Sequence, residues 1–315
     1  MRTKPLPALA GGVVLGAVVG VVMRAVTEAQ PSEKPATRSY HADKPTGLSG
    51  AAALLAASVL ADSALEHYRG SFENPAMVAP LISSALTLGS SAGRIFSLSR
   101  TRPSRQKAFV LSIAVGAAGL GFHIYNVFKR PGGLSWLNLF YGAPVGAPAA
   151  LSISGWLGLA AERLAAQAAP APRFFGLPAG RVLAAFTSLA LIGDVAEVAL
   201  FHFRGAFQNP FMYAPLALPP IAAGLLAKAA VAPIAKTHLL TRAWLWTTFL
   251  LGMAGTGFHA YGVSRAMGGW RNWSQNLIDG PPLPAPPSFS ALSVAGLAAL
   301  SLIEREAHAG DRQGR

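Results

Sequence analysis

Four histidines in this chain form two matched pairs. His67 and His202 open the phrases HYRGSFENPAMVAPL (67–81) and HFRGAFQNPFMYAPL (202–216), identical at ten of fifteen positions at an offset of 135. His123 and His259 sit in GLGFHIY and GTGFHAY, at an offset of 136. Imidazole can ligate a metal or haem iron, hydrogen-bond a quinone oxygen or carry a proton. Asp62 and Glu197 hold equivalent places five residues before their histidines, with Glu66 and Asp194 as further acids nearby. A carboxylate inside an apolar helix costs on the order of 2.5–3.5 kcal/mol to insert, and ordinarily faces a partner or a cavity. Asp62 and Glu197 are therefore candidates to take protons. Arg69 and Arg204 follow two residues after the first histidine of each copy. They can hold a haem propionate or a quinone carbonyl, and the plainest alternative pairs them with Asp62 and Glu197 as ion pairs two turns apart. The histidines themselves can equally be buried hydrogen-bonding groups.

The matched phrases mean that the chain is a tandem duplication. A third pair, Asn138 to Pro144 (NLFYGAP) against Asn276 to Pro282 (NLIDGPP), closes each copy. The expected divisions are 1–46, an N-terminal transmembrane helix with a linker; 47–165, the first four-helix repeat; 166–180, a Pro/Ala/Gly-rich linker; 181–305, the second repeat; and 306–315, a polar tail. Apolar segments are expected near 49–67, 76–95, 108–128 and 143–161, then near 182–202, 211–231, 243–263 and 285–303. The N-terminal stretch from Ala8 to Met23 carries Gly12, Gly16 and Gly20 on one helical face, and is expected as an uncleaved ninth span.

Only 12% of the residues are charged, 52% are hydrophobic, and the mean hydropathy is +0.41. Soluble chains carry about 25% charge, so this is the composition of a multi-pass membrane protein in contact with a lipid bilayer. The net charge of +13 does not indicate nucleic acid. It divides between alternate loops, 14 Lys and Arg against 6, which predicts that the richer side is cytoplasmic and the histidine side extracytoplasmic. A bacterial plasma (inner) membrane location follows as the expectation. With no cysteine, disulfides, cysteine-held iron–sulfur clusters and covalent haem attachment are excluded. Nucleotide-binding loops and hydrolase or zinc-protease motifs are also lacking.

Four spans per copy is an even number, so the repeats run in the same direction through the membrane. Short connections favour up-down-up-down bundles in which the first and third helices are diagonal. That geometry predicts His67 near His123, and His202 near His259. Gly116 and Gly119 share a face with His123, as Gly252 and Gly255 do in the second copy, which suits either a haem lying flat on the helix or a close helix contact. Arg-Gly-x-Phe-x-Asn-Pro-x-Met reads as a turn with an Asn-Pro helix start. Trp136, Trp270 and Trp273 suit a membrane-interface belt, and Tyr125 and Tyr261 suit interface anchors or ligand hydrogen-bonders.

The two-bundle plan of 47–305 resembles the NrfD/PsrC-type membrane subunits of bacterial respiratory complexes, though without a motif that aligns. The EHYRG-x-F-x-NP and GG…N-x-x-x-GPP phrases resemble a group of bacterial multi-pass membrane proteins. The first resemblance implies contact with quinol near the extracytoplasmic face. The expected function is thus a membrane subunit linked to respiratory electron transfer, meeting quinol or b-type haem there and working with a redox partner subunit. A transporter or channel, or a membrane anchor for an extracytoplasmic dehydrogenase, are the alternatives. The inner halves of the spans read as nearly free of ionisable groups, which argues against a polar path through the membrane.

Overall fold

The computed structural model describes residues 44–96, 103–167, 171–233 and 237–313, with side chains from 46 to 307. The expected N-terminal span and His41 lie outside the described residues. The first repeat consists of α1 (Lys44–Arg69), α2 (Ala79–Phe96), α3 (Pro103–Phe128), the short α4 (Trp136–Phe140) and α5 (Gly146–Ala166). The second consists of α6 (Ala179–Arg204), α7 (Ala214–Val231), α8 (His238–Arg265), the short α9 (Trp273–Asp279) and α10 (Pro287–Gln313). Several helices overrun the apolar windows read from the sequence. A helix continues through Arg, Lys and Glu wherever their heads can leave the hydrocarbon, so charge marks the end of the apolar slab and not of the helix. Among the described residues, six of the eight long helices are long and apolar enough to cross a membrane. The other two, α5 and α8, complete the bundles beside them.

Each repeat closes into a ring. α1 packs on α2, α2 on α3, α3 on α5 and α5 on α1; α6, α7, α8 and α10 repeat this order. Thus α1 and α3 are diagonal, as are α6 and α8. Glycine permits the closest approaches. A Cβ on Gly116 would stand 2.4 Å from Ser152 Oγ, and one on Gly252 would stand 2.4 Å from Ser290 Oγ. Gly119 and Gly255 similarly lie against Pro148 and Pro286. The glycine faces of α3 and α8 are therefore filled by α5 and α10.

The two repeats meet through α1, α5, α6 and α10. Gly47 approaches Ala298, Ser58 donates to the Pro284 carbonyl, and Arg69 reaches the Gly280 carbonyl, so α1 and α10 run antiparallel. On the other side Gly146 faces Glu197 while Trp156 packs against Phe186, so α5 and α6 are antiparallel as well. Equivalent helices therefore point the same way, and the repeats are parallel.

Their interface is not symmetric. α1 and α10 are packed over their length, with Leu48, Ala51, Ala52, Ala295 and Ala299 fully buried. α5 and α6 stay apart. Trp156 and Phe186, with ring centroids 4.0 Å apart, stand where α10 and α1 carry Val294 and Ala51. Two large rings wedge one seam open, and small residues close the other.

Two segments outside the bundles carry structure. The linker holds a two-residue antiparallel hairpin, Arg173 opposite Pro178 and Phe174 opposite Leu177, turned by Phe175 and Gly176 at positive φ. Phe174 anchors it on the Trp156 ring. The tail continues as α10, and the Glu306 carboxylate accepts the Gly180 N–H at 3.0 Å, capping the start of α6.

Candidate functional site

All four paired histidines lie at one end of the double bundle, half-buried. His67 Nδ1 is 2.6 Å from the Met77 carbonyl, and His202 Nδ1 is 2.7 Å from that of Met212. His123 Nδ1 bonds the Pro144 carbonyl, and His259 Nδ1 lies 2.7 Å from that of Pro282. A carbonyl can only accept, so Nδ1 carries the proton in each case and Nε2 is left as the acceptor. His67 and His123 stand close enough for a charge on one to act on the other, and so do His202 and His259. The diagonal pairing expected from the repeat is present.

These bonds also explain the repeated phrases. α1 ends at Arg69, and Ser71 and Phe72 take positive φ to turn the chain. Ala206 and Phe207 do the same after α6. The Asn74 and Asn209 side chains accept the N–H two residues on, starting a 3₁₀ turn with proline in its first position. Each histidine ties its turn to the next helix and sets its ring edge against Phe72 or Phe207. At the second loop, Asn138 Nδ2 donates to the Pro131 and Gly133 carbonyls, and Asn276 Nδ2 to those of Met267 and Gly269. Much of the repeated wording is thus loop construction.

The donor set of His67 with His123 and of His202 with His259 suits iron by its chemistry: an imidazole bonded through Nδ1–H to a carbonyl presents Nε2. The flat helix face that would receive a macrocycle does not fit, because Pro148, Ser152, Pro286 and Ser290 fill it. Among the described residues no group of three or more His, Asp and Glu could hold a metal ion.

The carboxylates gather elsewhere, at the interface between repeats. Asp62 and Glu197 are close enough to interact electrostatically across it. The expected ion pairs with Arg69 and Arg204 do not form. Arg69 Nη1 binds Glu66 Oε1 at 2.5 Å instead, one turn away and nearer than Asp62. Arg204 donates to the Leu139 carbonyl of the other repeat at 2.9 Å, and its guanidinium lies over Phe140 and Phe201. Glu197 sits on the Val145 and Gly146 N–H groups at the start of α5, where the exposed amides favour an anion. A Cβ at Gly146 would come within 2.8 Å of Glu197 Cγ, which accounts for glycine there.

Between α5 and α6 lies a crevice of about 990 Å³. Its walls are mostly apolar, with Leu55 and Leu292 at the back and Trp136 and Phe203 towards the histidine end. Asp194 and Glu197 are the ionisable groups in its lining. Asp194 accepts the Ser288 hydroxyl at 2.7 Å, while Glu197 Oε1 is buried and meets no donor among the described residues. Trp136 packs edge-on to Phe203 at 5.9 Å, forming one lip; it is a wall of this crevice as well as an interface residue. Tyr125 and Tyr261 remain exposed beneath Lys129 and Arg265.

Sequence reasoning missed two groups at the opposite end. Arg94 and Arg105, counted above among the basic loop residues, are buried with Glu162, with Arg105 Nε 2.7 Å and Arg94 Nη1 3.9 Å from Glu162 Oε1. In the second repeat Arg242 and His238 bind Glu304, so His238 is the buried first residue of α8 and not a loop residue. The only signal was that these charges fall at helical spacing from buried positions. No protein-family profile, curated protein or solved structure matches the chain.

Proposed function

We propose that the protein is a quinol-interacting membrane subunit linked to electron transfer, with its site in the α5–α6 crevice. The observation that carries this reading is Glu197 Oε1, a buried acceptor without a protein donor in an otherwise apolar wall. Ligand sites are typically about 300–1,000 Å³, mainly apolar, with a few convergent polar groups. A neutral ring with hydroxyl donors and a long isoprenoid tail matches that lining. An anionic lipid headgroup would be repelled by Asp194 and Glu197. Quinol oxidation releases two protons and two electrons: the two carboxylates take the protons, and a redox partner subunit takes the electrons. Asp62, across the interface from Glu197, provides the next carboxylate. The extracytoplasmic placement rests on the loop charges, and a bacterial inner membrane is the setting this function requires.

Photolabelling tests the reading. A diazirine-bearing quinone analogue in liposomes should label α5 and α6, be displaced by excess unlabelled quinone, and lose most of its label in Glu197→Gln. Equal labelling of all lipid-facing helices, unaffected by Glu197→Gln, would overturn it.

A further inference from the structure

We propose that the first bundle conducts protons through its core and that the second does not. Every buried side chain that α2 contributes is polar: Ser83, Ser84, Thr87, Ser91 and Arg94. Its large apolar groups point outward, as at Ile82 and Leu86. A membrane helix turned in this way faces its polar stripe to a polar interior, not to lipid.

The stripe covers about three turns of α2. Ser84, Thr87, Ser91 and Arg94 follow at three- and four-residue steps, about 5 Å apart along the axis. Thr87 Oγ1 meets Ser112 Oγ of α3 at 2.6 Å, and Ser112 in turn bonds the Ser83 carbonyl. At the basic end the line meets the fully buried Glu162, held by Arg105 and Arg94. Towards the other end α1 carries buried Ser63, one turn inward of His67. Two of these buried groups have unused capacity: among the described residues, Ser91 Oγ and Glu162 Oε2 have no hydrogen-bond partner. Buried hydroxyls and carboxylates of this kind recruit water, and water between successive turns completes a relay.

The duplication supplies an internal control. At the equivalent positions the second repeat has Val198 for Ser63, Leu218 for Ser83, Pro219 for Ser84 and Ala222 for Thr87. It has Leu226 for Ser91, Ala229 for Arg94 and Leu300 for Glu162. Every buried residue of α7 is apolar. Helix packing alone does not require the polar set of α2, because α7 closes the same bundle with apolar residues, although α8 keeps buried Thr248 and Thr241 where α3 has Ser112 and Arg105. A proton entering at the Glu162 carboxylate passes between these hydroxyls through the water they recruit, each group accepting one proton and releasing its own, and leaves at the His67 and His123 Nε2 atoms. One proton enters and one leaves, with no net chemistry.

Proton flux into proteoliposomes tests this directly, with a pH dye inside and a valinomycin-set potassium potential as the drive. No quinone is present, so the outcome is independent of the crevice reading. The full chain should acidify vesicles at least tenfold faster than lipid alone. Thr87→Val with Ser91→Ala should remove most of that flux while the protein remains monodisperse and helical, and so should Glu162→Gln where it folds. Leu226→Ala in the second bundle should leave flux unchanged. Wild-type flux no greater than lipid alone, or flux unaltered in the folded Thr87→Val/Ser91→Ala protein, would overturn the proposal.

Discussion

Arg204 of the second repeat donates to the Leu139 carbonyl of the first at 2.9 Å, and Arg69 of the first reaches the Gly280 carbonyl of the second at 3.5 Å. The arginines are equivalent, and each crosses to the closing loop of the other repeat. Their shared function is to join the two bundles at the histidine end. The joints differ in depth: Arg204 is more enclosed and its Nε has no partner, whereas Arg69 is also held by Glu66 at the surface. Truncating a buried, hydrogen-bonded cation leaves its partner unsatisfied at about 1–3 kcal/mol. Arg204→Ala should therefore lower the unfolding midpoint in detergent, and Arg69→Ala should lower it less. Equal losses would show that the two joints are equivalent in energy.

The crevice owes its width to Trp156 and Phe186. Replacing them with the residues of the closed seam, as Trp156→Val with Phe186→Ala, should draw α5 and α6 together and abolish quinone photolabelling. The α1–α10 seam already closes with these residues, so the double variant should remain folded. A correctly folded variant that still labels fully would show that the wedge does not set the site.

Glycine at the second loop is a matter of space. A Cβ on Gly142 would stand 2.4 Å from the Asn138 carbonyl oxygen, whereas one on Gly121 would meet nothing within 4 Å. Overpacking of that kind costs about 1–3 kcal/mol. Gly142→Ala should lower the thermal midpoint and Gly121→Ala should not, as read by unfolding in detergent.

How much of this was legible in the sequence follows from what repetition can encode. Matched histidines, acids and asparagines at fixed offsets revealed two parallel bundles and placed the diagonal pairs. The same letters did not reveal partners. Asp62 and Arg69 stand at good helical spacing, yet Glu66 is one turn nearer and takes the arginine. Glu162 lies among alanines near the end of its helix, and only the packing of α2 and α3 around it shows that it is buried. The wedge was also hidden, because Trp156 and Phe186 become informative only when Val294 and Ala51 are known to occupy the same places in the other seam.

Topology tests the frame on which the histidine end depends. Reporter fusions after Arg102 and Lys236 should indicate cytoplasm, and fusions after Glu73 and Gly269 the opposite side, because 14 basic residues flank one face and 6 the other. Inverted signals at all four sites would place the crevice lip and the histidines on the cytoplasmic side.

The histidines distinguish a cofactor pair from a structural one. Each ring ties a loop to a helix through Nδ1–H, and the neighbouring glycine faces are filled by Pro148 and Pro286. The purified protein should thus show no haem absorption in its reduced spectrum. His123→Ala and His259→Ala each leave one loop carbonyl without its donor, at a cost of about 1–3 kcal/mol. Both should lower the unfolding midpoint by similar amounts, and His123→Asn, which keeps a short N–H donor, should recover part of the loss. Split b-type bands in the reduced spectrum, halved by either alanine substitution, would instead make the diagonal pairs axial ligands. In that case the helix faces at Gly116 and Gly252 would have to open by more than the 2.4 Å approach now allows.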